Sequence, residues 1–130
     1  MATINKFEDL EIWQLAREVC QDVWFVFETT SLGNDFKLKN QMNGSSGSVI
    51  DNIAEGFERN GRREFIQFLN IAKGSCGELK SQLYRSFDRK HISKEQFQPL
   101  LEKANLANKK IGFFMSYLVK SDIKGSKFDK

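Results

Sequence analysis

The sequence predicts an all-α protein, an antiparallel up-down four-helix bundle in a single domain. Apolar residues recur every three or four positions over four long segments, which is the period of an amphipathic helix. Short polar or glycine-containing segments separate these stretches, and such connections join antiparallel neighbours in a bundle. The chain contains one proline and few of the dipeptides that mark β-turns, which argues against an all-β fold.

Length and composition are those of one soluble domain. A chain of 130 residues can bury one substantial core, and 40% hydrophobic with 28% charged residues is ordinary for a globular protein. No apolar run is long enough to cross a bilayer and no signal peptide is evident, so we expect a cytoplasmic protein. Cys20 and Cys76 lie on apolar stripes, so we expect buried thiols rather than a disulfide.

The first helix is predicted over residues 7–29, with Trp24 on its core stripe. Its C-terminal half is apolar on much of its circumference, and such a helix packs on more than one side. A second helix is predicted over residues 36–55. Its segment 40–48 (NQMNGSSGS) has the composition of a linker, so packing against a close neighbour must override propensity there. Gly56, directly after an apolar helical run, is the predicted left-handed C-terminal cap.

The third helix is predicted over residues 62–88. Ser93 and Gln96 fit a capping box, so the fourth helix begins directly after Ser93. The bundle domain is predicted to span residues 1–119. Residues 120–130 are polar with scattered lysines and are predicted to form a flexible tail.

One face of the third helix carries small residues. They recur at steps of four, three and four, which places them on one ridge: Asn70, Gly74, Gly77 and Ser81. Glycine inside a helix costs roughly 1 kcal/mol relative to alanine, so their presence indicates a reason. Either another helix approaches closely, from this chain or from a second subunit, or the face is smooth, solvated and tolerant of glycine.

Charge is distributed unevenly along the chain. The net charge is +3, but residues 1–58 hold 4 basic and 10 acidic side chains, and residues 59–130 hold 16 basic and 7 acidic ones. Such asymmetry lets the two halves attract one another, within one chain or between subunits. Candidates for binding RNA or DNA phosphates follow the second helix: Arg59, Arg62, Arg63, Lys73 and Lys80. The alternative is a solvated edge whose cations pair with acids.

Polar residues flank the predicted turn between the second and third helices. Asn52, Glu55 and Glu64 are expected to form a partly buried structural cluster that pairs with Arg59. Such a pairing would offset the unfavourable position of arginines near a helix N-terminus.

No catalytic or metal centre is evident in the sequence. A di-iron bundle needs Glu-x-x-His motifs, and the only histidine, His91, lies at a predicted helix end, where it complements the helix dipole. The two cysteines do not form a metal-binding knuckle, and a serine or cysteine nucleophile would have only that terminal histidine as a base. We therefore expect no cofactor, no metal and no enzymatic activity.

A specific pattern of residues runs through the second and third helices. It comprises Asn52-Ile53-Ala54-Glu55-Gly56, Arg59, Glu64-Phe65, Phe68-Leu69, Ala72, Gly74-Ser75 and Glu78-Leu79. The opening Phe7-Glu8-Asp9-Leu10, with Trp13 and Ala16, adds to it. Over about residues 7–119 the chain resembles the bacterial 23S rRNA intervening-sequence proteins. This resemblance implies a four-helix bundle that forms a homo-oligomer, commonly a ring of five.

The resemblance also implies a connection with nucleic acid. Some members are encoded within insertions in ribosomal RNA genes, and a related branch accompanies diversity-generating retroelements, where the ring binds nucleic acid and a reverse transcriptase. Members carry two arginines followed by alanines where this chain has Asn43-Gly44 and Ser45-Ser46, and a serine cap where it has Gly61. We therefore predict a self-assembling, non-enzymatic bundle that binds RNA or DNA, with a protein-interaction scaffold as the alternative.

Overall fold

Four long helices make up the fold of residues 4–121, which are the residues described by the computed structural model. The helices are α1 (Glu11–Thr29), α2 (Phe36–Glu58), α3 (Arg62–Asp88) and α4 (Lys94–Lys120). Each packs against the next in chain order, and α4 closes the bundle against α1. The predicted four-helix bundle is confirmed, and no strand occurs among these residues.

The core runs between the four helices and is filled by large apolar side chains. Fully inaccessible side chains come from all of the last three helices, and Phe65 and Ile111 are examples. Phe65 contacts Phe57 edge-on, with ring centroids 6.2 Å apart, and Phe114 at 5.6 Å. Full burial of one such side chain contributes about 1.5–3 kcal/mol, so this core is the main source of stability.

The first helix begins later than the sequence indicated. Residues Phe7–Asp9 form one 3-10 turn, and α1 starts at Glu11 after an extended residue, Leu10. Leu10 is buried in this extended conformation, which explains why the helix is interrupted there. The turn places Phe7 against Trp13, with ring centroids 5.2 Å apart.

The predicted C-terminal cap at Gly56 is wrong, because α2 continues through this residue to Glu58. Gly56 is buried where α2 meets α3. A Cβ atom at this position would lie 2.7 Å from the Cβ of Phe68 and 2.8 Å from the Cδ1 of Phe65. The glycine therefore lets the two helices approach closely, a tertiary demand that the local pattern of a helix end does not reveal.

Residues 40–48 are helical throughout. The packing that this requires comes from the serines and not from Gly44 and Gly47, where an added Cβ would meet no atom within 4 Å. Ser45 is buried, and its hydroxyl donates to Oε1 of Gln82 on α3 at 2.6 Å. The hydroxyls of Ser48 and Ser75 are hydrogen-bonded at 2.8 Å. These bonds join α2 to α3, so the serines supply the tertiary contacts that override the low helix propensity of the segment.

A tight turn connects α3 to α4. Lys90 has a positive φ of 63°, and the N–H groups of Lys90 and His91 donate to carbonyls in the last turn of α3 at 2.9 and 3.0 Å. This is the Schellman arrangement, with lysine at the position that favours glycine. The predicted capping box then opens α4: Ser93 Oγ accepts from the Gln96 N–H at 3.2 Å, and Gln96 Oε1 accepts from the Ser93 N–H at 2.8 Å.

The last helix extends to Lys120, one residue into the predicted tail. Ser121 caps the helix, and residues 122–130 of the predicted tail lie outside the described residues. Within residues 4–121, no helix is both long enough and apolar enough to cross a membrane.

Candidate interaction surfaces

The five basic candidates do not form one free strip. Arg59 pairs with Glu55, with Nη2 and Oε2 3.1 Å apart, and its guanidinium lies over the ring of Phe68 at 5.1 Å from the centroid. Arg62 donates to the carbonyl of Ser121, directly after α4. These two arginines are therefore partly occupied in joining the α2–α3 connection to the bundle.

The remaining three candidates lie along α3. Lys73 is half-buried against α4, where its Nζ donates to Oδ1 of Asn108 at 2.9 Å, and Nδ2 of Asn108 donates to the Lys73 carbonyl at 3.2 Å. Arg63 is exposed and Lys80 is half-buried, and neither makes an ion pair or side-chain hydrogen bond with residues 4–121. Arg63 and Lys80 are thus the two candidates whose charge is available to a phosphate.

The predicted polar cluster at the α2–α3 turn is divided between different environments. Asn52 is half-buried, and its Nδ2 donates to the carbonyl and the hydroxyl of Ser48 at 2.8 and 2.9 Å. Glu55 and Glu64 are exposed, so they do not form a partly buried cluster with it. The expected ion pair between Glu55 and Arg59 is present, and such an exposed pair one helical turn apart contributes about 0.3–0.5 kcal/mol.

The small-residue ridge faces away from the bundle. All of its members are exposed: Asn70, Gly74, Gly77 and Ser81. A Cβ atom added to Gly74 or Gly77 would meet no atom of the described chain within 4 Å, and the same is true of Gly44 and Gly47 on α2. Close approach by another helix of the described chain is therefore excluded, while contact with a second subunit stays a prediction.

A cleft on the outer face of α1 carries two exposed aromatic side chains. It is a shallow depression that is largely open to solvent, and we call it the α1 cleft. The residues that line it all belong to α1: Cys20, Gln21, Trp24, Phe25 and Glu28. Trp24 is 47% exposed and Phe25 is 62% exposed. Trp24 was placed on the core stripe from the sequence, but it lies at the edge of the α1–α2 contact, where Lys39 Nζ is 5.6 Å from its ring centroid.

A second apolar surface lies on α4. Leu106, Phe113 and Tyr117, which we call the α4 stripe, are spaced seven and four residues apart and so share one face of the helix. Their exposed fractions are 42%, 63% and 40%. Lys109 lies beside them, with its Nζ 5.7 Å from the Phe113 ring centroid. This stripe was not predicted: its three residues lie outside the core stripe by which the helix was recognised, and they were assigned no role from the sequence.

Charge differs between the two sides of the bundle. Residues 4–58, which form α1 and α2, hold 4 basic and 10 acidic side chains, and residues 59–121, which form α3 and α4, hold 13 basic and 5 acidic ones. Ion pairs join the sides where α1 meets α4: Lys103 binds Asp22 at 2.7 Å and Lys110 binds Glu11 at 3.0 Å. The hydrogen bond to Asp22 raises the pKa of Lys103. The charges beyond these pairs leave one acidic and one basic side.

A polar cluster joins the α1–α2 and α3–α4 connections. Asp35 Oδ2 accepts from Nε2 of His91 at 2.9 Å and from Nη1 of Arg89 at 2.8 Å, and these bonds hold the pKa of Asp35 below its usual range. Nδ1 of His91 lies 2.7 Å from Oγ of Ser31. His91, which was expected only to complement the helix dipole, thus binds two loop residues. Because Asp35 also caps α2 through the Leu38 N–H, the cluster fixes this end of the bundle.

Both cysteines are free thiols, as expected. Cys76 is buried and its Sγ donates to the carbonyl of Ala104 at 3.3 Å, whereas Cys20 is half-buried and donates to the carbonyl of Ser46 at 3.2 Å. Burial raises the pKa of both thiols, that of Cys20 to about 11. No group of His, Cys, Asp and Glu suited to a metal ion occurs among residues 4–121.

The fold and these surfaces define the class of the protein: a small all-α bundle whose distinctive features are exposed apolar and charged surfaces. Residues 8–112 match the family described as 23S rRNA-intervening sequence protein, and the chain belongs to this family. The resemblance inferred from the sequence is therefore confirmed.

A solved structure supports the same fold. A protein of unknown function from the S23 ribosomal protein family of Bacteroides thetaiotaomicron superposes with a TM-score of 0.73. The two sequences are 22% identical, and the match covers 80% of this chain and 97% of that one. Comparison with curated proteins gives no significant match.

Proposed function

We propose that this protein is a non-enzymatic, cytoplasmic four-helix bundle that assembles with copies of itself and acts by binding. The observation that carries the proposal is the amount of exposed apolar surface. Nine large apolar side chains within residues 4–121 are at least 40% exposed, and the α1 cleft and the α4 stripe hold five of them. Contiguous apolar patches on a folded surface mark interaction sites, because their burial is favourable.

The family supports assembly into a closed ring, with five copies as the expected number. A ring uses the same pair of surfaces at each contact and leaves none of them open. The size is tested by light scattering on protein eluting from a gel-filtration column. Five copies of a 15.0 kDa chain give about 75 kDa, whereas a mass of 15.0 kDa at all concentrations would refute self-assembly.

Nucleic-acid binding is the second candidate function. It is favoured by the excess of basic residues on α3 and α4, and by Arg63 and Lys80, whose charges have no acidic partner in residues 4–121. A ring would repeat these cations and so bind a polyanion at several points. Retroelement relatives imply a reverse transcriptase as a further partner, which would dock on the same assembly.

An anisotropy titration distinguishes nucleic-acid binding from a purely protein-binding scaffold. Labelled structured RNA and duplex DNA are titrated at about 50 and 200 mM salt, because each phosphate contact increases the salt dependence. Binding through the basic side predicts affinity that falls steeply with salt and is lost in Arg63→Ala/Lys80→Ala. The matched control is Lys6→Ala/Lys37→Ala, which removes two exposed lysines from the acidic side, one before α1 and one at the start of α2. Absence of binding at the lower salt would leave the scaffold.

The non-enzymatic part of the proposal has its own test. Ser31, His91 and Asp35 are linked by hydrogen bonds of 2.7 and 2.9 Å, an order of groups that serine hydrolases use, although there the two imidazole nitrogens are exchanged. We expect Ser31 to remain unlabelled by a fluorophosphonate probe, since Asp35 is also held by Arg89 and by the α2 N-terminus. Labelling of Ser31 that disappears in His91→Ala would contradict a purely structural cluster.

A further inference from the structure

The α1 cleft and the α4 stripe differ in charge. Glu28 lies at the wall of the cleft and makes no ion pair with residues 4–121. Lys109 lies over the ring of Phe113 in the stripe and likewise has no acidic partner among these residues. Lys39, whose Nζ is 5.6 Å from the Trp24 ring centroid, borders the cleft on its α2 side. Glu28 is the charged residue that lines the cleft itself, and its charge is opposite to that of Lys109 in the stripe.

The sides of the bundle that carry these surfaces are also complementary. The cleft belongs to the acidic side formed by α1 and α2, and the stripe belongs to the basic side formed by α3 and α4. A contact between two clefts would place Glu28 against Glu28, and a contact between two stripes would place lysines together. The contact of a cleft with a stripe pairs Glu28 with Lys109 and joins the acidic side to the basic side, while it buries aromatic side chains on both partners.

We infer that a second copy of this chain packs Phe113 of its α4 stripe on the α1 cleft, with its Lys109 directed to Glu28. The inference rests on the proposed self-assembly and adds the surfaces that carry it. Trp24 and Phe25 give the cleft an aromatic surface on which a phenyl ring and the aliphatic part of a neighbouring lysine can pack. Phe113 and Phe25 are 63% and 62% exposed, so both have apolar area to lose on association.

The positions of the two surfaces make the contact head-to-tail. The cleft lies towards the C-terminal end of α1. Phe113 lies near the level of the N-terminal end of α1, because Lys110, about one helical turn before Phe113, pairs with Glu11. Joining them offsets one copy from the next. Because the two surfaces differ, a growing assembly keeps one uncovered cleft at one end and one uncovered stripe at the other end. Both become covered when the assembly closes into a ring.

Two substitutions at equally exposed positions of α4 test whether the stripe takes part in assembly. Phe113→Glu places a carboxylate in the proposed contact and opposite Glu28, whereas Val119→Glu makes a similar change at a position that is 65% exposed. Val119 lies about 120° around α4 from Phe113, outside the stripe. We expect Phe113→Glu to weaken assembly by about tenfold or more, as for a residue central to an interface, and Val119→Glu to assemble like wild type. Circular dichroism confirms that both remain helical.

Mixing two deficient variants tests the head-to-tail arrangement. Phe25→Glu blocks the cleft and keeps the stripe, and Phe113→Glu does the reverse. Each variant alone is expected to be monomeric, and their mixture is expected to give a heterodimer of about 30 kDa, twice the 15.0 kDa chain. A contact of clefts with clefts would leave Phe113→Glu assembled on its own, and a contact of stripes with stripes would leave Phe25→Glu assembled; either result overturns the inference.

A charge exchange identifies the ion pair. Glu28→Lys and Lys109→Glu are each expected to weaken assembly, and the two changes in one chain are expected to restore it, because the pair is re-formed with reversed polarity. If wild type assembles while Phe25→Glu and Phe113→Glu assemble equally well, the inferred contact is wrong but self-assembly stands. If wild type is monomeric throughout, the proposed function itself fails.

Discussion

Replacing Gly56 by alanine tests the close contact between α2 and α3. A new Cβ would lie 2.7 Å from the Cβ of Phe68 and 2.8 Å from the ring of Phe65, both well inside van der Waals contact. The Phe68 Cβ moves only with its backbone, and Phe65 is fully buried, so neither neighbour can turn aside freely. Overpacking of this kind typically costs about 1–3 kcal/mol.

The same substitution has a favourable component. Alanine in a helix interior is better than glycine by about 1 kcal/mol, so the net change at Gly56 is a loss of up to about 2 kcal/mol in the free energy of unfolding. Gly44 provides the matched control on the same helix, because an added Cβ there meets no atom within 4 Å. Gly44→Ala is expected to stabilise by up to about 1 kcal/mol.

Urea denaturation followed by circular dichroism measures both changes. The measurement is made at a protein concentration at which wild type and variants have the same mass, so that assembly does not enter the comparison. We expect Gly56→Ala to lower the urea midpoint and Gly44→Ala to raise it, although the chemical change is the same. Equal stabilisation by Gly56→Ala and Gly44→Ala would refute the close packing of α2 on α3.

Three further predictions concern the turns and a thiol. Lys90→Gly is expected to raise the unfolding free energy by up to about 1 kcal/mol, because φ is 63° there; a lower urea midpoint would contradict this. The pKa of Asp35 is lowered from 3.8 by its bonds to His91 and Arg89, so its contribution is present above pH 3.8 and is lost as the pH falls through the lower folded value. Asp35→Asn should therefore show a weaker acid destabilisation than wild type in pH-dependent melts. Cys20, whose pKa is raised to about 11, should react with iodoacetamide at pH 8 much more slowly in the folded protein than in the urea-unfolded protein. Equal rates would show that the thiol is exposed to solvent in the folded protein.

The helices could be predicted from the sequence because their signals are local or periodic. Apolar spacing gave α3 with both of its ends, and Ser93 with Gln96 gave the start of α4. The helical state of residues 40–48 required a tertiary argument, since serines and glycines alone favour a linker. The hydrogen bonds of Ser45 and Ser48 to side chains of α3 are the tertiary contacts that hold this segment in the helix.

The errors arose where a distant partner decides the conformation. Gly56 has the local appearance of a helix end, but its role depends on two phenylalanines of α3. His91 is close in space to Asp35 only because two connections meet at one end of the bundle, and no spacing in the sequence signals this. Trp24 fits the period of a core stripe, yet its angular position at the edge of that stripe leaves it half exposed.

The sequence identified the basic candidate residues, but it did not reveal which of them are engaged by other side chains of the chain. Arg59 and Lys73 belong to the basic set that the composition indicates, and the structure shows them engaged with Glu55 and Asn108. The α4 stripe was missed for a different reason. Its residues lie outside the predicted core stripe of α4, and single apolar residues on an outer helix face do not reveal by themselves that they form one surface.

The central claim is that assembly covers the exposed apolar surface of α1, and Trp24 reports on it directly. In Trp13→Phe, Trp24 is the single tryptophan of the chain. We predict that acrylamide quenches its fluorescence weakly in the concentrated, assembled protein, and that quenching rises on dilution in step with the fall in mass. Equal quenching at all concentrations, while the mass changes from oligomer to monomer, would contradict the claim.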